Sequence, residues 1–130
     1  MIIDKIELNK SLETGIGWQD RQHRELFVKV NTFVEALENS LATTELLKLL
    51  DFLDDYVVNH FHDEEQFMSK FDYPDLLLHI EKHTSFIEEL DRLKGMIPGG
   101  INDVLLTEVN DKVSLWITHH IGRLDKEFGL

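Results

Sequence analysis

The amino-acid sequence predicts an all-α fold: an antiparallel up-down-up-down four-helix bundle with an irregular N-terminal arm. Three observations predict it. Apolar residues recur at steps of three and four in four separate segments, the spacing of one helix face. The connections between those segments are short and carry turn formers, at Asn39-Ser40, at Asp72-Tyr73-Pro74, and from Gly95 to Asn102. There are only two prolines, and the seven glycines fall mostly near the expected helix ends, which favours helices over a sandwich of short strands. Amphipathic helices joined this closely bury their apolar stripes against one another as a bundle.

Residues 1–18 show no sustained helical period, and Gly15 and Gly17 mark an irregular arm, expected to pack across the bundle through Ile3, Ile6, Leu8, Ile16 and Trp18. A first helix is expected over about 20–38, with Asp20 as its N-cap and a stripe of Leu26, Phe27, Val30, Phe33, Val34 and Leu37. A second runs over about 43–70, capped by Thr43 or Thr44, with Leu46, Leu49, Leu53, Tyr56, Val57, Phe67 and, at its end, Phe71 expected inward. A third spans about 74–94 and opens on Pro74, whose missing N–H suits the first helical position. Its stripe includes Leu76, Ile80, Phe86, Ile87, Leu90 and Leu93. The fourth spans about 103–127, with Leu105, Leu106, Val109, Val113, Trp116, Ile117 and Leu124 inward. No internal repeat or low-complexity segment interrupts this order, and 130 residues suit one domain, 1–130.

Composition narrows the function. The formal net charge is −12, which argues against nucleic acid as a partner, since phosphate contacts need clustered Lys and Arg. No apolar stretch approaches the length that spans a membrane, and the N-terminus lacks the basic-then-apolar pattern of a signal peptide. There is no cysteine, so disulfides, thiolate metal sites and cysteine nucleophiles are excluded. A cytoplasmic location is expected.

The informative residues are polar ones on apolar faces. His23 stands in the first turn of the first stripe. His60 and Glu64 lie one turn apart on the second, His79 and His83 one turn apart on the third, and His120 near the middle of the fourth. A lone inward histidine is commonly a hydrogen-bonded core residue. Five together with a buried glutamate, and no matching set of inward Lys or Arg, have no cheap structural explanation other than metal binding. His62 and His119 are expected to face away from the centre, and the acidic run Asp63-Glu64-Glu65 is read as a solvated face except for Glu64. The set exceeds the roughly four ligands of a single zinc, so a binuclear centre is favoured. The zincin motif H-E-x-x-H is absent, as are the paired E-x-x-H motifs of carboxylate-rich di-iron enzymes.

Four ordered segments carry a family likeness: T-G-I with D-R-Q-H at 14–23, H-F-H-D-E-E-Q-F-M at 60–68, H-I-E-K-H at 79–83, and W-I-T-H-H-I-G-R-L-D at 116–125. With these the sequence resembles the hemerythrin family, specifically its single-domain bacterial members. The resemblance implies two Fe ions in a non-haem, oxo- or hydroxo-bridged di-iron centre. His79, His83 and His120 are implied for one iron, His23 and His60 for the other, and Glu64 and Asp125 as bridges. Phe61, Trp116, Ile117 and Ile121 are implied as walls of an apolar O2 pocket. Asp125 comes from the motif alone. It follows His120 by five residues, about 140° around an ideal helix, and periodicity favours Glu127 instead. One departure stands out. Family members usually carry Ile before D-x-Q-H, where this chain has Trp18-Gln19; the change is expected to alter packing of the arm without touching a ligand.

The implied function is reversible O2 binding for storage, transport or delivery. Five imidazoles, two bridging carboxylates and one bridging oxygen fill about eleven of roughly twelve octahedral positions, leaving one open on the iron with fewer histidines. No catalytic acid or base stands apart from the ligand set, so the protein is not expected to be an enzyme. The alternatives are an O2- or redox-sensing domain of a signalling protein, and a di-iron enzyme that reduces O2, peroxide or NO.

Overall fold

A computed structural model describes residues 12–37 and 41–129. Among them the chain forms four main helices and no strand: α1 (Gly17–Ala36), α2 (Ala42–Lys70), α3 (Leu76–Gly95) and α4 (Asp103–Leu115). A 3-10 turn at Ile97–Gly99 joins α3 to α4. Beyond α4 the helix continues as a π-helical segment, Trp116–Asp125, and closes with a short α5, Lys126–Gly129. Helix α1 packs on α2, α2 on α3, and α3 on α4 and the π segment. Their apolar stripes meet in one core through Phe33, Leu46, Leu53, Leu93, Val109 and Ile121, all buried.

The helix ends show where local chemistry overrode simple rules. The first helix begins at Gly17, three residues before the expected start, and Asp20 is not its cap. Its buried carboxylate instead accepts hydrogen bonds from Thr14 N at 2.8 Å, Thr14 Oγ1 at 2.9 Å and Gly15 N at 3.1 Å. The carboxylate so ties the incoming chain to the helix, and satisfies the donors of the buried Thr14. Gly15 makes the turn at φ +84°, a conformation open to glycine and costly for most other residues. Of the expected arm contacts, Trp18 lies edge-on to Phe67 at 5.4 Å between ring centroids, and Ile16 is half-buried. Ile3, Ile6 and Leu8 fall outside the described residues, as do Asn39 and Ser40.

Helix α2 starts at Ala42, and neither Thr43 nor Thr44 caps it; Ala42 is buried while both threonines are exposed. The other end of α2 closes with a six-to-one bond from Tyr73 N to Met68 O at 2.9 Å and a bond from Asp72 N to Ser69 O at 3.1 Å. This is the Schellman pattern, with Asp72 left-handed at φ +52°. Because these bonds use residues 72 and 73, α3 begins at Leu76 and Pro74 sits in the turn before it. Helix α4 starts where expected, with Asn102 Oδ1 accepting from Leu105 N at 3.0 Å.

The Asp20 anchor predicts a measurable cost. Asp20→Ala leaves three donors without their acceptor, and should lower unfolding stability by about 1–3 kcal/mol. Urea unfolding should show an earlier midpoint with little change in slope, and hydrogen exchange at Thr14 and Gly15 should quicken.

Candidate metal centre

Each helix delivers a histidine to one level of the bundle. His23 comes from α1, His60 from α2, His79 and His83 from α3, and His120 from the π segment, with Glu64 and Asp125 between them. All seven residues are at most 3% exposed, too buried for water to satisfy them. The i,i+4 spacing places His60 beside Glu64, and His79 beside His83, on single faces.

Asp125 is where sequence periodicity and motif disagreed. Periodicity chose Glu127; the structure exposes Glu127 and buries Asp125 completely. The reason is the π segment from Trp116 to Asp125. Its i→i+5 bonding widens the turn, so residues five apart return to one face. Asp125 Oδ1 then lies 3.1 Å from His120 Nε2.

The two carboxylates divide their oxygens in the same way. Glu64 Oε2 lies 3.0 Å from His60 Nε2 and 3.7 Å from His23 Nε2, while Oε1 lies 3.1 Å from His83 Nε2. Asp125 Oδ2 lies 3.3 Å from His23 Nε2, while Oδ1 lies 3.2 Å from His79 Nε2 as well as near His120. Two clusters of ligand-capable atoms result: His23, His60, Glu64 and Asp125; and Glu64, His83, His120 and Asp125, each set lying within 4.8 Å. Glu64 and Asp125 belong to both. His79 reaches the second through Asp125 and lies beside His120, with ring centroids 5.1 Å apart.

Outer partners fix the imidazoles. His60 Nδ1 pairs with Gln22 Oε1, and Gln22 Nε2 donates in turn to Asp63 Oδ2 at 3.0 Å. His83 Nδ1 donates to Glu65 Oε2 at 2.8 Å, and His79 Nδ1 faces the Asp75 carbonyl at 3.4 Å. A proton held at Nδ1 turns the Nε2 lone pair inward, as metal-binding histidines require. At the centre, His23 Nε2, His83 Nε2, His120 Nε2, Glu64 Oε1 and Asp125 Oδ2 have no hydrogen-bond partner. Converging, unpaired donor atoms of this chemistry fit metal ions, and five imidazoles with shared carboxylates suit a transition-metal pair.

The electrostatics without metal point the same way. Burial and the charge of Glu64 both disfavour ionised Asp125, yet His120 and His23 outweigh them and hold its carboxyl below the usual range. Burial likewise opposes charge on Glu64, and His60, His23 and His83 keep it well below its ordinary value. Burial alone would lower His23, but Asp125 and Glu64 raise it to about 9. His120 is lowered by burial. The two carboxylates therefore stay negative and demand positive charge in the core.

Phe61, Trp116, Ile117 and Ile121 are all buried. Phe61 stacks on His83 at 3.9 Å and lies 6.0 Å from His60, so it borders both clusters. Trp116 stacks on His120 at 3.8 Å. His62 and His119 are exposed.

Four residues around the centre escaped the sequence reading. Glu65 is not simply part of a solvated face, since the same helical step that aims Glu64 inward brings Glu65 beside His83. Gln22 could have been found as the residue flanking His23 in D-R-Q-H. Tyr56, read as ordinary stripe, stacks on His60 at 4.5 Å. Gln19 overturns the expectation that the Trp18-Gln19 departure touches no candidate ligand. It lies one turn before His23, is fully buried, and donates Nε2 to Glu64 Oε2.

Comparison with known proteins places the chain in a family. The profile of the Hemerythrin HHE cation binding domain matches residues 14–129. The bacteriohemerythrin of Clostridium acetobutylicum is 31% identical over 119 residues, covering 89% of this chain and 92% of that protein. The bacteriohemerythrin of Methylococcus capsulatus is 34% identical over 122 residues, covering 89% and 87%. The myohemerythrin of Theromyzon tessulatum is 31% identical over 110 residues, covering 84% and 78%. With most of its length matched and its buried histidines and carboxylates gathered at one level, the chain belongs to the hemerythrin family.

Proposed function

We propose that this protein binds O2 reversibly at a non-haem di-iron centre, for storage, transport or delivery, and that it acts as a carrier and not as an enzyme. The ligands are His23, His60, Glu64, His79, His83, His120 and Asp125. The observation that carries the reading is the division of oxygens: Glu64 and Asp125 each offer one oxygen to the His23–His60 side and the other to the His83–His120 side. That is the donor pattern of carboxylates bridging a metal pair. The membership of the family and the myohemerythrin and bacteriohemerythrin relatives support iron and O2 as its occupants.

An iron pair held by these residues would supply reversible two-electron chemistry toward O2. The chain's own residues set the conditions. Two imidazoles, His23 and His60, serve one side and three, His79, His83 and His120, the other, so room for a ligand is left on the first. Glu65, Gln22 and the Asp75 carbonyl hold three rings in orientation. Phe61, Trp116, Ile117 and Ile121 form the apolar wall that excludes water and protons. No helix among the described residues is long and apolar enough to cross a membrane. The absence of cysteine accords with work in the cytoplasm.

Two experiments test the proposal. The anaerobically reduced, iron-loaded protein should gain a visible charge-transfer band on exposure to O2 and lose it when O2 is removed, over repeated cycles. Release of peroxide at every cycle would make the protein an enzyme, and lack of bound iron would end the di-iron reading. Separately, His60→Ala should lower bound iron per chain, with roughly 10-fold or greater loss of metal affinity, while His62→Ala and His119→Ala keep the native content. Metal analysis of the purified variants checks this; equal loss in all three would overturn the ligand assignment.

A further inference from the structure

Gln19 is a buried amide held against a candidate bridging carboxylate. It lies on α1 one turn before His23 and is fully inaccessible. Its Nε2 donates to Glu64 Oε2, the oxygen that serves the His23–His60 side. The amide sets its Nε2 against that oxygen, whereas its carbonyl oxygen turned the same way would bring two acceptors face to face. In the orientation present, Gln19 Oε1 is buried without a hydrogen-bond partner. An orphaned acceptor of this kind costs about 1–3 kcal/mol, a cost that an apolar side chain in the same volume avoids. Pure packing therefore gives no reason for an amide here.

We infer that Gln19 is a positioning residue that tunes the metal centre through Glu64, making its reduced state harder to oxidise. The inference rests on the di-iron reading above. An N–H donated to a ligating oxygen draws electron density from that oxygen. Glu64 Oε2 then gives less to the metal on the side with two imidazoles, and the lower oxidation state is favoured there. The same bond fixes the rotation of the carboxylate, so that Oε1 stays directed to His83 while Oε2 stays directed to His60.

The test compares Gln19→Leu and Gln19→Met with the parent protein, all iron-loaded. Both variants keep about the same volume and lack the donor. A redox titration should show the reduction potential of the iron pair shifted to lower values in both. The reduced protein should be lost to autoxidation about 10-fold faster. Iron content should remain that of the parent, and thermal stability should stay level or rise, because the orphaned Oε1 is gone. Met68→Leu, a volume-conserving change at another fully buried position one turn beyond Glu64, serves as the packing control and should leave the potential unchanged. An unshifted potential in both Gln19 variants overturns the inference, as does an equal shift in Met68→Leu. If the parent protein itself takes up no iron, the di-iron reading falls, and this inference with it; if the parent cycles O2 normally and only the Gln19 variants fail to differ from it, the inference alone falls.

Discussion

Two carboxylates that stay ionised in the middle of a helical core are the constraint on which the structure depends. Glu64 and Asp125 are both completely buried. Removing such groups from water is costly by several kcal/mol each unless positive charge is brought to them. Among the described residues no Lys or Arg pairs with either one; the contacts of both are with histidines and Gln19. Imidazoles can meet this demand in two ways, by holding protons or by holding metal. Without metal, His23 is driven toward the protonated form, with its pKa at about 9. Metal ions deliver more positive charge and accept lone pairs at defined positions, so they satisfy both the carboxylates and the unpartnered Nε2 atoms together.

This requirement accounts for the bundle's registration. Helices that pack by apolar stripes alone can slide by a turn at modest cost, because one Leu replaces another. A centre to which α1, α2, α3 and the π segment each contribute removes that freedom. It also explains why the helices are decorated as they are. Glu65 leaves the solvated face to hold His83, Gln22 links His60 to Asp63, and the first turn of α3 begins where the Asp75 carbonyl reaches His79. The Schellman closure at Asp72 fixes that start, so a turn far from the centre in character still determines where a ring nitrogen points.

The fold and most of the centre were legible in the sequence because both speak through helical period. Stripes at three and four residues located four helices, and six inward polar residues stood out by breaking those stripes. What stayed hidden depended on departures from that period or on side chains reaching sideways. Asp20 looked like a cap because Asp at a helix start usually is one, yet the sequence did not reveal that Thr14 and Gly15 would offer three donors to it. Thr43 and Thr44 were credited with capping by type alone, whereas burial of Ala42 moved the helix start ahead of them. Gln19 was invisible as a neighbour of Glu64 because the two are distant in sequence, and only the packing of α1 on α2 brings them together.

The π segment is the sharpest case, because there the sequence held two answers and physical reasoning from a regular helix chose the wrong one. A carboxylate that meets His120 at the centre must share its face, and the residue that does so is five positions on. A regular α-helix carries that residue away from the core. A wider turn brings it back, at the expense of poorer hydrogen-bond geometry over ten residues. Such a stretch is stable only where something rewards the altered register. Trp116 stacked on His120, Ile117 and Ile121 in the core, and Asp125 between His79, His120 and His23 all lie within or at the end of that segment. The local helix therefore yields to the site, and the spacing H-x-x-x-x-D should be read as evidence for a π turn whenever both residues must face one centre.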